Sequence, residues 1–331
     1  MKKIILFTLA LLGSVCVFPQ SGMKRPDSYN YNRGLEEFKN ENYDEALEYF
    51  QKEVGTDAKN GYAYSWMALI YQSKREYGMS LTSANNALKY IPKKDANFLA
   101  ATYIIRADTY LGINDTLLAI NDYGNAIRVG PSNEDAYENR AQIYYVQGKY
   151  ELADSDYRQL IKLDEGSVMG YMGLGRNLNA QKRWDEAIAK FNHVSAMYSD
   201  YSSAYSFRAE AYIGKKQWTE ATDDILNALI INGDNKAFVL MQELKGSAFD
   251  ILKTKLKIQC SKNPNNPYWP YCIGVIHEHN EQYQQAIPFY LEAQRIDADD
   301  INLRRIAQCY YEIGDYENAL LNISTPVRDK K

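Results

Sequence analysis

The sequence predicts an all-α chain, a solenoid of about nine helix-turn-helix hairpins, on three observations. Three back-to-back blocks of 34 residues run from Glu134 to Asn235, each with one spacing. A small residue is followed three places on by an aromatic or Leu, at nine by Tyr or Trp, and at twelve by Ala. These are Ala141, Tyr144, Tyr150 and Ala153, then Gly175, Leu178, Trp184 and Ala187, then Ala209, Tyr212, Trp218 and Ala221. The spacing also recurs outside the blocks, and prolines fall where repeats end.

Apolar stripes at i, i+3, i+4 and i+7 mark one face of a helix, and two stripes around a short polar turn make a helical hairpin. Small residues at the crossing let the two axes approach while bulky neighbours fill the remaining wedge. The small residue recurs as Gly34, Ala68, Ala107, Gly274 and Ala307, with Ala46, Ser80, Ala119, Ala286 and Ala319 twelve places later. The bulky residue three before that partner is Tyr43, Tyr77, Tyr283 or Tyr316, and only Thr116 departs. Pro92 and Pro131 sit at repeat ends, where Pro disfavours helix in the preceding residue. One hairpin cannot bury its own apolar face, so neighbours must stack.

This 34-residue pattern resembles the tetratricopeptide repeat. The resemblance covers nearly the whole chain after residue 26 and implies a right-handed α-solenoid. Six repeats are expected at 27–235, with a five-residue insertion around Pro92 to Asn97 lengthening a loop between the second and third. The stretch 236–266 keeps helical spacing (Phe238, Leu240, Met241, Leu244, then Phe249, Ile251, Leu252, Leu256) but lacks the small pair. It reads as a degenerate seventh hairpin and a bend or boundary, turning at Gly246 and Ser247 and closed by Pro264 and Pro267. Two C-terminal repeats fill 267–331. Leu320, Leu321 and Ile323 follow in the last helix ahead of Pro326 and a basic tail of Arg328, Lys330 and Lys331, which predicts a homodimer through the C-terminal hairpin.

Met1-Lys2-Lys3 and the apolar run Ile4 to Val15 read as a secretory signal within 1–21, since that run is short for a bilayer span of about 20 residues. A linker follows at 22–26. The leader resembles a bacterial one, so the mature protein is expected to cross the inner membrane and reside in the periplasm or cell envelope. Lipidation of Cys16 would call for a Leu-like residue three before it and a small one directly before it, where the chain has Gly13 and Val15, so an acylated Cys16 is the weaker alternative.

The net charge of −4 becomes −6 without Lys2 and Lys3, which argues against nucleic acid and anionic membranes as main partners, leaving peripheral membrane association open. Of 29 Tyr, most fall on repeat-core positions, such as Tyr71, Tyr110, Tyr144, Tyr212 and Tyr310, where half-burial with a wet hydroxyl accounts for them. Cys260, Cys272, His277 and His279 follow no familiar zinc spacing, and His277 occupies an aromatic core slot. Cys260 and Cys272 admit either a disulfide or burial as small apolar residues, burial being favoured by residue type. Gly170, Gly173 and Gly175 read as a reversed phosphate-loop pattern without a preceding strand, and Gly173 either admits a ligand or reflects drift. Neither a Ser-His-Asp set, a Walker loop nor H-E-x-x-H occurs, so no enzyme activity, cofactor or metal is expected.

The family resemblance implies that the first helix of each repeat lines a concave surface. Carried over by position, partner-binding residues are Tyr31, Leu35, Phe38, Trp66 and Leu69, then Asp108, Glu138, Asn139, Gln142 and Tyr145, then Arg176, Asn179 and Glu210, and finally Arg304, Arg305 and Gln308. The carboxylate clamp of some relatives needs Lys and Asn where this chain has Tyr31 and Leu35. The expected function is a non-catalytic scaffold binding a protein or peptide as part of an envelope assembly. The alternatives are a carbohydrate-binding accessory protein, suggested by Tyr31, Trp66, Tyr145 and Tyr268, and an outer-membrane assembly lipoprotein.

Overall fold

The computed structural model describes residues 26–324, which hold eighteen α-helices and no strand. The leader at 1–21 with Cys16, most of the linker, and the tail with Pro326, Arg328, Lys330 and Lys331 lie outside the described residues.

The helices group into two compact units, divided between Gly170 and Tyr171. The first contains α1 (Tyr29–Lys39), α2 (Tyr43–Thr56), α3 (Gly61–Ser73), α4 (Tyr77–Tyr90), α5 (Ala96–Gly112), α6 (Thr116–Val129), α7 (Glu134–Val146), α8 (Tyr150–Leu163) and the start of α9 (Val168–Ala180). The second continues with α10 (Trp184–Met197), α11 (Ser202–Gly214), α12 (Trp218–Asn232), α13 (Asn235–Glu243), α14 (Ser247–Lys262), α15 (Tyr268–His279), α16 (Tyr283–Ile296), α17 (Asp300–Glu312) and α18 (Tyr316–Ser324). The division falls inside α9, whereas the stretch 236–266 forms α13 and α14 within the second unit.

The small residues do what the spacing predicts. All eight at the crossing and all eight partners twelve places later are buried, Ala141 and Ala153 completely. The bulky residue between them is in every case the first residue of the hairpin's second helix, from Tyr43 of α2 to Tyr316 of α18. A further pairing sits sixteen places after the small residue. A Cβ on Gly34, Gly175 or Gly274 would come within 2.7, 2.5 or 2.6 Å of the rings of Phe50, Phe191 and Tyr290. Each ring lies directly on the glycine backbone, so the largest core side chains face the smallest.

The turns are more uniform than the sequence suggests. Seven residues after each small residue the backbone is left-handed, at Glu41, Arg75, Asn114, Gly148, Lys182, Lys216, Glu281 and Gly314. The N–H of that residue bonds the carbonyl three back, as Lys182 does to Asn179 at 2.9 Å, and the next N–H bonds the carbonyl five back, as Arg183 does to Leu178 at 2.9 Å. This double bond is the Schellman closure of a helix C-terminus. The same residue's carbonyl then accepts the N–H of the partner small residue, as Arg183 does from Ala187 at 3.1 Å, and the second helix begins. Thr116 lacks the bulky wedge of its counterparts, and there Asp115 supplies a side-chain cap, accepting from the N–H of Leu118 at 3.1 Å.

The five-residue insertion does not lengthen a loop as expected. It adds a turn to α5, which has 17 residues where α7 and α11 have 13. Asp95 makes this favourable: buried, it accepts from Phe98 N–H at 3.3 Å as the cap and from Tyr62 Oη at 3.1 Å in the preceding repeat. Buried hydroxyls key the same junction, Ser65 to Thr102 and Ser80 to Thr109, each at 2.8 Å.

Three hairpins carry an ion-pair clasp with a sixteen-residue separation. Arg106 grips Asp122 at 2.6 and 2.8 Å, Arg140 grips Asp156 at 2.9 and 2.8 Å, and Arg208 grips Asp224 at 2.7 and 2.7 Å. The aspartates are nearly buried, with side chains 4–5% exposed. The seventh hairpin departs from pattern: α13 has nine residues and packs on α11, α12 and α15, and Gly246 at φ 58° directly precedes α14.

Two predictions follow from this construction. Six of the eight left-handed turn residues are not glycine, a conformation L side chains adopt at a cost. Lys182→Gly and Lys216→Gly are each expected to raise stability by about 0.5–1 kcal/mol in urea unfolding, where Gly148→Ala lowers it. In a double-mutant cycle, Arg140→Ala is expected to cost about 3 kcal/mol by stranding Asp156, and the double change Arg140→Ala with Asp156→Ala distinctly less.

Candidate partner-binding surface

In the first unit, Tyr31 and Trp66 are 2% and 9% exposed and belong to the core. The Trp66 indole N–H donates to Tyr31 Oη at 3.2 Å, and its ring stacks on Phe50 at 6.2 Å. Leu35, Phe38 and Leu69 are half-buried against the same cluster. The apolar, aromatic start read from the sequence is therefore mostly interior. Burial of Tyr31 and Trp66 also takes two rings from the carbohydrate alternative. Glu138, Asn139, Gln142 and Tyr145 are half-buried, with Tyr145 6.2 Å from Tyr150.

Asp108 occupies the position directly after the small residue Ala107. It is half-buried, accepts a short hydrogen bond from Tyr123 Oη, and has Asp135 nearby. Loss of hydration pushes its carboxyl up to about 7, against the bond from Tyr123, which pulls the other way.

In the second unit, Arg176 lies 5.3 Å from the centre of the Phe207 ring, and Asn179 is 6% exposed and bonded to Phe207 and Glu210. Arg304 and Gln308 are exposed. Arg305 is held by Glu278, whose two oxygens accept at 3.0 and 2.9 Å, so the expected basic patch at Arg304 and Arg305 is half neutralised. Tyr290 Oη also donates to Glu278. Phe207 and Lys236 join this surface without having been singled out. The available signal was that Phe207 stands two places before a small residue, as Trp66 does.

The remaining motifs resolve into packing. His277 is 6% exposed, stacked on Phe289 at 5.5 Å and bonded to Gln282 at 2.7 Å, and burial pushes its ring below the usual histidine range. Cys260, Cys272 and Cys309 are free thiols, Cys272 and Cys309 buried. Among the described residues no group of three or more His, Cys, Asp or Glu could hold a metal, and no helix is long and apolar enough to cross a membrane. A Cβ on Gly170 would meet Ile161 at 2.6 Å and the Tyr157 carbonyl at 3.0 Å, so close packing against α8 accounts for that glycine, and Gly173 is buried.

Stacked hairpins, eight of them with a buried small pair, make a helical-repeat arrangement, and part of the chain matches family models. Models described as tetratricopeptide repeat match residues 106–168, 144–200 and 271–300. A TPR repeat-containing protein of Methanocaldococcus jannaschii is 26% identical over 241 residues, covering 69% of this chain and 41% of its own length. The chain thus spans about two fifths of that relative. A tetratricopeptide repeat protein from Parabacteroides merdae has a TM-score of 0.55 at 15% identity, over 85% of this chain and 97% of that one. The C-terminal part of a TPR repeat-containing protein from Cytophaga hutchinsonii has a TM-score of 0.57 at 17% identity, over 83% of this chain and 99% of that one. These two show the all-α tetratricopeptide fold. Tetratricopeptide repeat proteins generally serve as protein-interaction scaffolds and are typically non-catalytic.

The raised carboxyl of Asp108 carries a pH dependence. An acid whose folded value lies above its unfolded value of about 3.9 stabilises the fold fully below that value and loses the contribution as pH rises through the folded value. Wild-type stability should therefore fall by about 2–4 kcal/mol relative to Asp108→Asn between pH 4 and 8 in urea titrations.

Proposed function

We propose that the chain is a non-catalytic scaffold that holds a protein or peptide on the exposed face of its first-of-pair helices, within a bacterial envelope assembly. One observation carries the reading. The small-residue position is constant in size because the crossing demands it, yet the position after it varies freely in chemistry. In the first unit it holds Leu35, Leu69, Asp108 and Gln142, and in the second Arg176, Glu210 and Gln308, while Val275 at the same position of α15 is buried in the core. A position whose chemistry changes from hairpin to hairpin on a fixed backbone suits reading a varied partner surface. The envelope location is supported by the leader-like 1–21.

The test is crosslinking capture from envelope extract, comparing the wild type with an Arg176→Glu, Gln142→Lys double variant of unchanged melting temperature. A polypeptide enriched by the wild type and lost by the variant is expected. Capture that is identical for both, or absent in both, would overturn the reading.

A further inference from the structure

Contacts between neighbouring hairpins mark the positions of a hairpin that face the next one along. Six residues before the small residue, Tyr62 reaches Asp95, and three before it Ser65 meets Thr102, both in the hairpin that follows. Four places after it, Phe38 lies 4.8 Å from Trp66 of the next first helix. Ten after it, Asp44 and Asp185 pair with Lys74 and Lys215. Sixteen after it, the Phe50 ring stacks on Trp66 and the Phe191 ring on Phe207, at 6.2 and 6.0 Å. In α17 and α18, the last described pair, these five positions hold Ile301, Arg304, Tyr311, Glu317 and Ile323.

All five are exposed. The contrast is sharpest at the last position, which is buried in the seven other regular hairpins, whereas Ile323 is 70% exposed. Tyr311 meets the exposed Tyr316 edge-on at 5.5 Å, and Leu320 is exposed beside them. A contiguous apolar surface of this kind marks a contact site. Arg304 and Glu317 have no ion-pair partner among the described residues, although the counterparts of Glu317, Asp44 and Asp185, are paired by the next hairpin. The leading face of the first hairpin has the wrong chemistry to cover this surface. Where Trp66 and Phe207 offer rings to the preceding hairpin, α1 has the exposed Asn32, bonded to Asp27. Where Ile70, Ile143 and Ile276 are buried, it has the exposed Glu36, bonded to Arg33. Seating α1 of one copy on α18 of another would bury an amide and a carboxylate against Ile323, which is costly.

We infer that this face is covered by the same face of a second copy, in a two-fold dimer. Helix α17 runs toward the hairpin turn and α18 runs back, so Arg304 lies at the open end and Glu317 at the turn end. Setting α18 antiparallel to its mate brings Glu317 of each copy to Arg304 of the partner subunit. Ile323, Tyr311 and Leu320 are buried between the two ion pairs. One surface thus carries both members of its own pair, which is what an isologous contact requires, and the pairing sets its register. The arginine of the second copy takes the part that Lys74 and Lys215 play for Asp44 and Asp185. The inference concerns the last described hairpin alone and does not depend on the scaffold reading above.

Analytical ultracentrifugation of the purified chain over a concentration series tests it. A monomer–dimer equilibrium is expected, with no larger species. Arg304→Glu and Glu317→Arg are each expected to weaken the dimer about tenfold, and the two together to restore it to within about twofold. Ile323→Asp, at an exposed position, should leave a monomer whose helix content by circular dichroism is unchanged. A monomer at every concentration, a dimer indifferent to Ile323→Asp, or a double reversal no tighter than either single change overturns the inference. A mass that grows past two copies means head-to-tail addition. A monomer that dimerises only once residues 325–331 are removed makes that segment the occupant. Either of these results overturns the two-fold dimer as well.

Discussion

The close crossing of two helices at a single small residue is the constraint on which this structure depends. Everything regular about the chain serves it. In three hairpins a ring sixteen residues on lies against that residue, in all eight the partner alanine or serine closes the first backbone bond of the returning helix, and the left-handed residue between them turns the chain in the fewest steps. These contacts all lie within one hairpin. Stacking then buries the faces that a lone hairpin leaves exposed.

Most polar groups admitted to the interior are paired. The Arg–Asp clasps of three hairpins and the hydroxyl pairs between α3, α4 and α5 each replace an apolar contact by a directional one. Such contacts add little net energy, but they penalise mismatched neighbours strongly, which makes them register marks rather than glue. Gln217 Oε1 and Trp269 Nε1 are buried without a partner, and two further groups stand out on the first-of-pair helices. Asp108 is desolvated enough to hold a proton near neutrality, and Asn179 keeps an acceptor without a donor. Both lie on first-of-pair helices, close to positions that the crossing leaves chemically free.

The hairpins were legible in the sequence because the crossing admits only small residues, and Ala141, Ala153 and their counterparts announce it at a fixed period. The turn was not legible: Glu41, Arg75 and Lys182 carry no sign of left-handed backbone, which the closing hydrogen bonds impose regardless of side chain. The insertion near Pro92 reads as loop in the sequence because its helical role depends on Asp95, a cap whose partner Tyr62 comes from another repeat. For the surface, positional carry-over found Asp108, Arg176 and Glu210 but could not separate them from Tyr31 and Trp66, whose burial is decided by neighbouring hairpins. Phe207 and Lys236 escaped notice because aromatic and basic residues are common at many positions, and only stacking brings these two together.

The locality of the turns has a kinetic meaning. Since the closing bonds of the eight regular hairpin turns join residues five or fewer apart, each such corner can form before any distant part of the chain has been found, and loop-closure entropy stays small. Nascent chain emerging stepwise would acquire finished corners as it appears, and duplication or loss of one 34-residue period would leave the stereochemistry of its neighbours untouched.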